Sequence, residues 1–173
     1  MTPFRVPAAW LWRPSPNHSS RGLHQVTALV VHADASSKVE SSLKWIRRAE
    51  SKVSYHVLIG RDGTVHGVVN PDRKAWHAGE SALGSEQDCN GFSVGVCLSN
   101  RNDGTEPYPI AQQGAAADVC AVICGFYGIP VHRIVTHEAV ALPKGRKTDP
   151  KGLDMGAFRD MVAARLAPMP GAA

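Results

Sequence analysis

Residues 27–32 read Thr-Ala-Leu-Val-Val-His, an almost unbroken apolar run that ends in a histidine. An unbroken run of this length is typical of a central strand that is buried on both faces, as in a parallel sheet covered by helices. Ser37 and Glu40 follow with the spacing of a capping box, which predicts a helix from there to about Ser51. A buried strand followed by an amphipathic helix favours an α/β fold.

The rest of the chain continues the alternation of strands and helices. We therefore predict a single α/β domain with a central mixed β-sheet flanked by about three helices. Its boundaries are predicted as an extended N-terminal arm (1–25), the folded domain (26–167) and a short C-terminal tail (168–173). The predicted elements are a hairpin of Val53–Ile59 and Val65–Val69, a surface loop over Pro71–Asn90, a strand over Phe92–Ser99, a helix over Ile110–Tyr127, a strand over Arg133–Thr136, and a last helix capped by Asp154.

Composition excludes several classes of protein. The 173 residues are 43% hydrophobic, and no segment approaches the roughly 20 apolar residues of a membrane span, so no membrane insertion is expected. The N-terminal residues lack the apolar core of a signal peptide, which predicts folding in the cytoplasm. The four cysteines have no CxxC spacing, which indicates no zinc-finger or redox motif, and Cys120 and Cys124 are expected to be buried free thiols of a helix. A net charge of +4 is a weak basis for a nucleic-acid binder, and we expect no nucleic-acid partner.

The segment His137–Pro150, HEAVALPKGRKTDP, concentrates the chemistry of the chain in a turn-rich connection between a strand and a helix. His137 and Asp149 are candidate Zn²⁺ ligands, and His32, at the end of the first apolar run, is the best candidate for a third. Three protein ligands with one open position indicate a catalytic rather than a structural zinc site. Each residue also has an ordinary explanation, because strand-end histidines are often structural and Asp149 could be a turn residue before Pro150.

Four more residues are candidates for the same site. Beside a metal, Lys147 could stabilise an oxyanion, although most lysines are solvated surface residues. Tyr55 could direct its phenol towards metal-activated water or could belong to the core. Trp76 and His77 could form a wall for a sugar or a peptide, although a buried tryptophan is the more common outcome.

These residues occur in segments that resemble the zinc-dependent N-acetylmuramoyl-L-alanine amidases of the type-2 amidase and peptidoglycan recognition protein superfamily. The resemblance implies that His32, His137 and Asp149 bind Zn²⁺, that Tyr55 and Lys147 assist catalysis, and that the substrate is peptidoglycan or a muropeptide. The matching segments follow the family's order between about residues 28 and 166: VVHA (30–33), VSYHVLI (53–59) with RDG (61–63), WHAG (76–79), NGFSVGV (90–96) and GRKTDP (145–150).

The chain departs from several bacterial members of the family at Cys97, where they carry a glutamate that is a proposed general base. An unperturbed cysteine is mostly protonated at neutral pH and cannot replace that glutamate well. The resemblance around this strand to small phage lysins favours a monomeric, bacteriolytic phage endolysin, which would reach the wall from the host cytoplasm. The alternatives are a cytoplasmic amidase that recycles muropeptides and a non-catalytic peptidoglycan-binding protein of the same fold.

Overall fold

A computed structural model describes residues 2–36 and 38–167, and its elements alternate as the sequence predicts. Three helices of eight or more residues are accompanied by two single-turn helices, so the predicted count of about three holds for the long ones. The strands are β1 (Leu11–Trp12), β2 (His18–Ser20), β3 (Ala28–Ala33), β4 (Val57–Ile59), β5 (Val65–Gly67), β6 (Arg73–Ala75), β7 (Ala82–Leu83), β8 (Glu86–Gln87), β9 (Ser93–Leu98) and β10 (Ile134–Thr136). The helices are α1 (Val39–Ile46), α2 (Cys89–Phe92), α3 (Ile110–Tyr127), α4 (His137–Val140) and α5 (Met155–Leu166).

The central sheet has six strands in the order β1-β5-β4-β9-β3-β10. The four strands from β4 to β10 are parallel, whereas β5 pairs antiparallel with β4 and carries β1 on its outer edge. Every residue of β3 and β9 is buried, which confirms the prediction that the first apolar run is a central strand. The carboxyl ends of β3, β9 and β10 therefore share one edge of the sheet.

The two faces of the sheet have different partners because side chains alternate along each strand. On one face Leu29 and Val31 of β3, with Val94 and Val96 of β9, pack against α3 and α5. On the other face Gly95 of β9 leaves a space that the ring of His77 occupies. Helix α3 is 18 residues long and by length and composition alone could cross a membrane, but here it packs its buried side on the sheet and on α5.

Local capping marks one end of each of the two longest helices, the start of α5 and the end of α3. The Asp154 carboxylate accepts hydrogen bonds from the N–H groups of Gly156 and Ala157, which confirms the predicted cap of the last helix. Gly128 ends α3 with a φ of 70°, a left-handed conformation that suits glycine. Helix α1 begins without a side-chain cap at Lys38, and Ser37 of the predicted capping box lies outside the described residues, as does the predicted tail 168–173.

Three predictions about elements are wrong in detail. The strand predicted over Val53–Ile59 is limited to Val57–Ile59, so Tyr55 lies in the segment that leads into the sheet. The stretch Pro71–Asn90 is not a plain loop, because it contains β6, β7 and β8. The helix predicted to run to Ser51 stops at Ile46 and is followed by a short 3₁₀ turn, Ala49–Ser51.

The segment predicted as an N-terminal arm contributes to the sheets, with β1 on the central sheet and β2 paired with β6. Its Arg21 is only 7% exposed, and the guanidinium contacts four main-chain carbonyls and the ring of His56. The guanidinium donates to the carbonyls of Pro71, Asn90, Gly91 and Ser93. Burial lowers the pKa of Arg21 to about 10, so the group is still charged at neutral pH.

Candidate metal centre

His32 and His137 come together because His32 lies near the end of β3 and His137 directly follows the neighbouring parallel strand β10. In the register of the sheet Val31 of β3 lies opposite Thr136 of β10, and the residue after each of them is a histidine. The Thr136 hydroxyl accepts a hydrogen bond from the N–H of Ala139 and starts α4 at once. The two imidazole rings lie 4.4 Å apart between centroids, as the prediction of a shared sheet edge requires.

Asp149 lies in the connection that precedes α5, and together with His32 and His137 it forms the group called the metal cluster below. Its main-chain carbonyl accepts a hydrogen bond from the N–H of Glu138, which holds this connection against α4. The carboxylate Oδ2 lies 3.3 Å from Nδ1 of His32 and 3.1 Å from Nδ1 of His137. One ligand atom from each of the three residues lies within 4.8 Å of the other two, and all three side chains are buried.

The orientation of the two rings fits a cation at this position. Nε2 of His137 faces the carbonyl oxygen of Ala78 at 3.3 Å, and since a carbonyl can only accept, Nε2 carries the proton. The Nδ1 lone pair then faces the carboxylate. Nδ1 of His32 is buried and has no hydrogen-bond donor in the described chain. Two nitrogen lone pairs facing one carboxylate oxygen form an arrangement that a cation stabilises, and two histidines with one carboxylate are a ligand set of catalytic zinc sites.

The charges of the cluster at neutral pH also suit a metal. Burial lowers the pKa of His32 to about 4, so the ring is neutral at pH 7 and its lone pair is available. For Asp149 burial alone would raise the pKa, but the close contacts with His137 and His32 outweigh burial and hold the pKa below its usual range. The carboxylate is therefore an anion at neutral pH.

A cleft of about 500 Å³ opens over this cluster and is lined by His137 and Asp149. Lys147 also lines it, so the structure brings this predicted residue to the same cavity as the metal cluster. Residues that sequence reasoning did not single out complete the wall: Asp34, Ser36, Ser41, Ser42, Trp45, Asn102, Arg146 and Thr148. For Asp34 a signal was present, because it follows His32 by only two residues at the end of a strand.

Asp34 organises the rim of the cleft through its carboxylate. Oδ2 accepts a hydrogen bond from the Ser42 hydroxyl, and Oδ1 accepts from the N–H groups of Ser36 and Asn100. These contacts join the loop after β3 to α1 and to the end of β9. Asp34 therefore fixes the shape of the opening above the metal cluster.

Tyr55 and Cys97 lie together beside the metal cluster. The Tyr55 ring is 5.2 Å from the His32 ring between centroids, and Cys97 is paired with His32 in the register of β3 and β9. Burial, the nearby Cys97 and the nearby carboxylates raise the pKa of Tyr55 well above its ordinary value, so its hydroxyl keeps its proton. Burial, together with Asp34 and Asp149, likewise raises the pKa of the Cys97 thiol.

Trp76 and His77, predicted as a wall for the substrate, have different environments. Trp76 is partly exposed in the cleft, and its indole N–H donates to the Ser19 hydroxyl at 3.3 Å. His77 is only 7% exposed, and its Nδ1 lies 3.0 Å from Nε2 of His32. Trp76 is therefore the better placed of the two to contact a ligand, whereas the main polar contact of His77 is a candidate metal ligand.

Known proteins match this chain along most of its length. The sequence profile described as N-acetylmuramoyl-L-alanine amidase matches residues 22–152. The chain belongs to this amidase family. The amidase is 33% identical over 168 residues to the 1,6-anhydro-N-acetylmuramyl-L-alanine amidase AmpD of Enterobacter cloacae. The alignment covers 86% of this chain and 88% of that one. The amidase is 31% identical over 169 residues to AmpD of Escherichia coli (strain K12), with 87% and 90% covered.

Solved structures share the fold of the amidase. A crystal structure of a selenomethionine derivative of AmpD superimposes with a TM-score of 0.75 at 29% identity and covers 91% of this chain and 96% of that one. The catalytic domain of PlyG superimposes with a TM-score of 0.69 at 17% identity and covers 94% and 98%. At that identity the second likeness concerns the fold alone. The predicted fold class and the predicted superfamily are confirmed.

Proposed function

We propose that this amidase is a zinc-dependent enzyme that hydrolyses the amide between N-acetylmuramic acid and L-alanine in soluble anhydromuropeptides. The observation that carries the proposal is the convergence of His32, His137 and Asp149, with a buried nitrogen lone pair of His32 aimed at the carboxylate. The near full-length likeness to enzymes named for the 1,6-anhydro-N-acetylmuramyl-L-alanine amide supports the choice of substrate.

The residues of the cleft have separate roles in this reaction. When bound by His32, His137 and Asp149, Zn²⁺ supplies Lewis-acid polarisation of the carbonyl and acidifies water at neutral pH. Lys147 places a fixed positive charge in the cleft, where it stabilises the oxyanion that develops on the substrate carbonyl. Tyr55 keeps its proton and acts as a hydrogen-bond donor that orients the carbonyl or the attacking water.

The acceptor of the proton is proposed to be Asp149. Cys97 is fully buried and its thiol keeps its proton, so it does not replace the glutamate of several bacterial relatives. Asp149 is an anion, and its Oδ2 faces the two histidines while Oδ1 receives no hydrogen bond from the described part of the chain. On this proposal Asp149 takes the proton of the attacking water at Oδ1 and passes it at once to the departing amine, because its low pKa makes the protonated carboxyl a strong acid.

A role in muropeptide recycling is favoured over the predicted phage endolysin. The relatives at 31–33% identity are named as amidases of the anhydro sugar, whereas the likeness to the PlyG domain at 17% identity concerns only the fold. The sequence resemblance to lysins rested on one short strand around Cys97. On this proposal the enzyme acts in the cytoplasm on soluble fragments and not on the intact wall.

The test is a chromatographic assay of purified protein on two substrates, soluble anhydromuropeptides and intact sacculi. We expect release of the free peptide from the soluble substrate, loss of activity with a strong chelator, and recovery when Zn²⁺ is added back. Asp149→Ala serves as the matched control and should show neither bound zinc by elemental analysis nor turnover. Faster cleavage of sacculi than of the soluble substrate would support the endolysin function instead. Binding without cleavage would identify a recognition protein.

A further inference from the structure

A chain of three buried side chains, formed by His32, His77 and Ser93, leads away from the metal cluster. Nε2 of His32 lies 3.0 Å from Nδ1 of His77, and Nε2 of His77 lies 3.4 Å from the Ser93 hydroxyl oxygen. The Ser93 hydroxyl also lies within hydrogen-bond distance of the main-chain carbonyl of Cys89. All three side chains are buried, so they bond to one another and not to bulk water.

The direction of each hydrogen bond in this chain follows from its last member. The Cys89 carbonyl can only accept, so the Ser93 O–H donates to it. The Ser93 oxygen then accepts from Nε2–H of His77, and a neutral imidazole has only one N–H, so Nδ1 of His77 carries a lone pair. This lone pair accepts from Nε2–H of His32. His32 is thereby left with its Nδ1 lone pair directed at Asp149.

His77 is held in place by contacts that do not involve the metal cluster. Its main-chain N–H and that of Ala78 both donate to the side-chain oxygen of Asn90, at 2.9 and 2.8 Å. The same short segment provides the Ala78 carbonyl that faces Nε2 of His137. The adjacent residues His77 and Ala78 therefore contact the outer nitrogens of both histidines. The His77 side chain contacts Nε2 of His32, and the Ala78 carbonyl contacts Nε2 of His137.

We propose that His77, oriented by Ser93, is a positioning residue that fixes the tautomer and the orientation of His32 for metal binding. The inference rests on the zinc site of the proposed function and deepens it. Hydrogen bonds to the outer nitrogen of a ligating histidine typically change metal affinity by about 10–100-fold when they are removed. His77 thus acts through His32 and is not itself a ligand.

The test compares zinc dissociation constants, measured by competition with a chromophoric chelator, for wild type and four variants. His77→Leu removes the acceptor for His32 and should weaken zinc binding about 10–100-fold. His77→Asn keeps an acceptor oxygen near the position of Nδ1 and should recover most of this loss. Ser93→Ala should give an intermediate loss.

The matched control is Gln112→Leu, since Gln112 is equally buried but bonds the carbonyls of Ile59 and Ser99 on the helix-covered side of the sheet. It should lower the melting temperature and leave zinc affinity unchanged, which separates positioning from general stability. A long-range ¹H–¹⁵N spectrum of the zinc-loaded wild type supplies a second readout. We expect the proton of His77 on Nε2 and that of His32 on Nε2.

Each result has a distinct meaning. Wild-type affinity in His77→Leu, or a proton on Nδ1 of His77, would overturn the positioning role and leave the zinc enzyme intact. If His77→Leu does not fold, Ser93→Ala and the tautomer spectrum decide in its place. Failure of the wild type to bind zinc would instead refute the proposed function, and this inference with it.

Discussion

The replacement of Gly95 by alanine tests how closely the sheet and the metal cluster are packed. A Cβ atom at Gly95 would lie 2.5 Å from Cγ, 2.8 Å from Nδ1 and 2.9 Å from Cδ2 of His77. Carbon atoms in contact normally lie about 3.5–4.0 Å apart, so the imidazole would have to move by roughly 1 Å. The ring has little freedom to move because the backbone of His77 is bonded to Asn90.

We expect Gly95→Ala to lower both stability and zinc affinity. Overpacking of a buried site costs about 1–3 kcal/mol, and in a chain of this size each kcal/mol lowers the melting temperature by about 2–4 °C. Displacement of His77 should also disturb its 3.0 Å contact with His32 and so weaken zinc binding. The expected variant is folded but less stable, and it needs more zinc to saturate.

Gly125→Ala provides the matched control on helix α3. Its new Cβ would lie 3.7 Å from Cδ2 of Leu166, an ordinary contact, and alanine is favoured over glycine inside a helix by about 1 kcal/mol. The same substitution should therefore raise the melting temperature there. Differential scanning calorimetry with and without zinc, together with chelator competition, measures both quantities. An unchanged melting temperature and zinc affinity in Gly95→Ala would refute the packing of His77 on β9.

Three further substitutions separate the roles within the cleft. Asp149→Ala should remove stoichiometric zinc, since it leaves two ligands, and elemental analysis of the purified variant checks this; retention of one zinc per chain would contradict the ligand set. Lys147→Met should lower kcat by about 10²–10³-fold with an unchanged melting temperature, because an oxyanion-stabilising charge is lost. Steady-state kinetics on a soluble muropeptide measure this effect, and an unchanged kcat would contradict the role of Lys147. Cys97→Ala should leave kcat essentially unchanged in the same assay, because burial raises the pKa of the thiol and keeps it protonated; a large loss would show that the thiol takes part.

The fold was predictable where burial alone determines the pattern. The apolar run that became β3 lies at the centre of the sheet, and the helix α3 has the bounds that its sequence predicts. The segment around Tyr55 was not predictable in this way. Its backbone leaves the strand pattern because Ser54 donates its hydroxyl to the Asn17 carbonyl and accepts a hydrogen bond from the N–H of Trp76. Such distant partners are not visible in local periodicity.

The convergence of the two histidines was predictable because one lies near the end of β3 and the other directly follows β10, and these strands are parallel neighbours. The position of His77 behind His32 could not be predicted from the sequence. Its sequence neighbours indicate an exposed loop, and only the pairing of β3 with β9 shows that Gly95 lies opposite Val30 and leaves a space that the imidazole occupies. The organisation behind His32 thus depends on sheet register, which a single sequence does not specify.

The guanidinium of Arg21 has a practical consequence for the choice of expression fragments. A piece of the chain that starts at residue 26 would omit this side chain and leave the carbonyls of Pro71, Asn90, Gly91 and Ser93 without this donor. It would also omit Phe4, which is buried against the core and whose N–H donates to Asp72. A fragment that begins at residue 26 is therefore expected to be less stable than the longer chain, because it loses both the buried guanidinium and the buried ring.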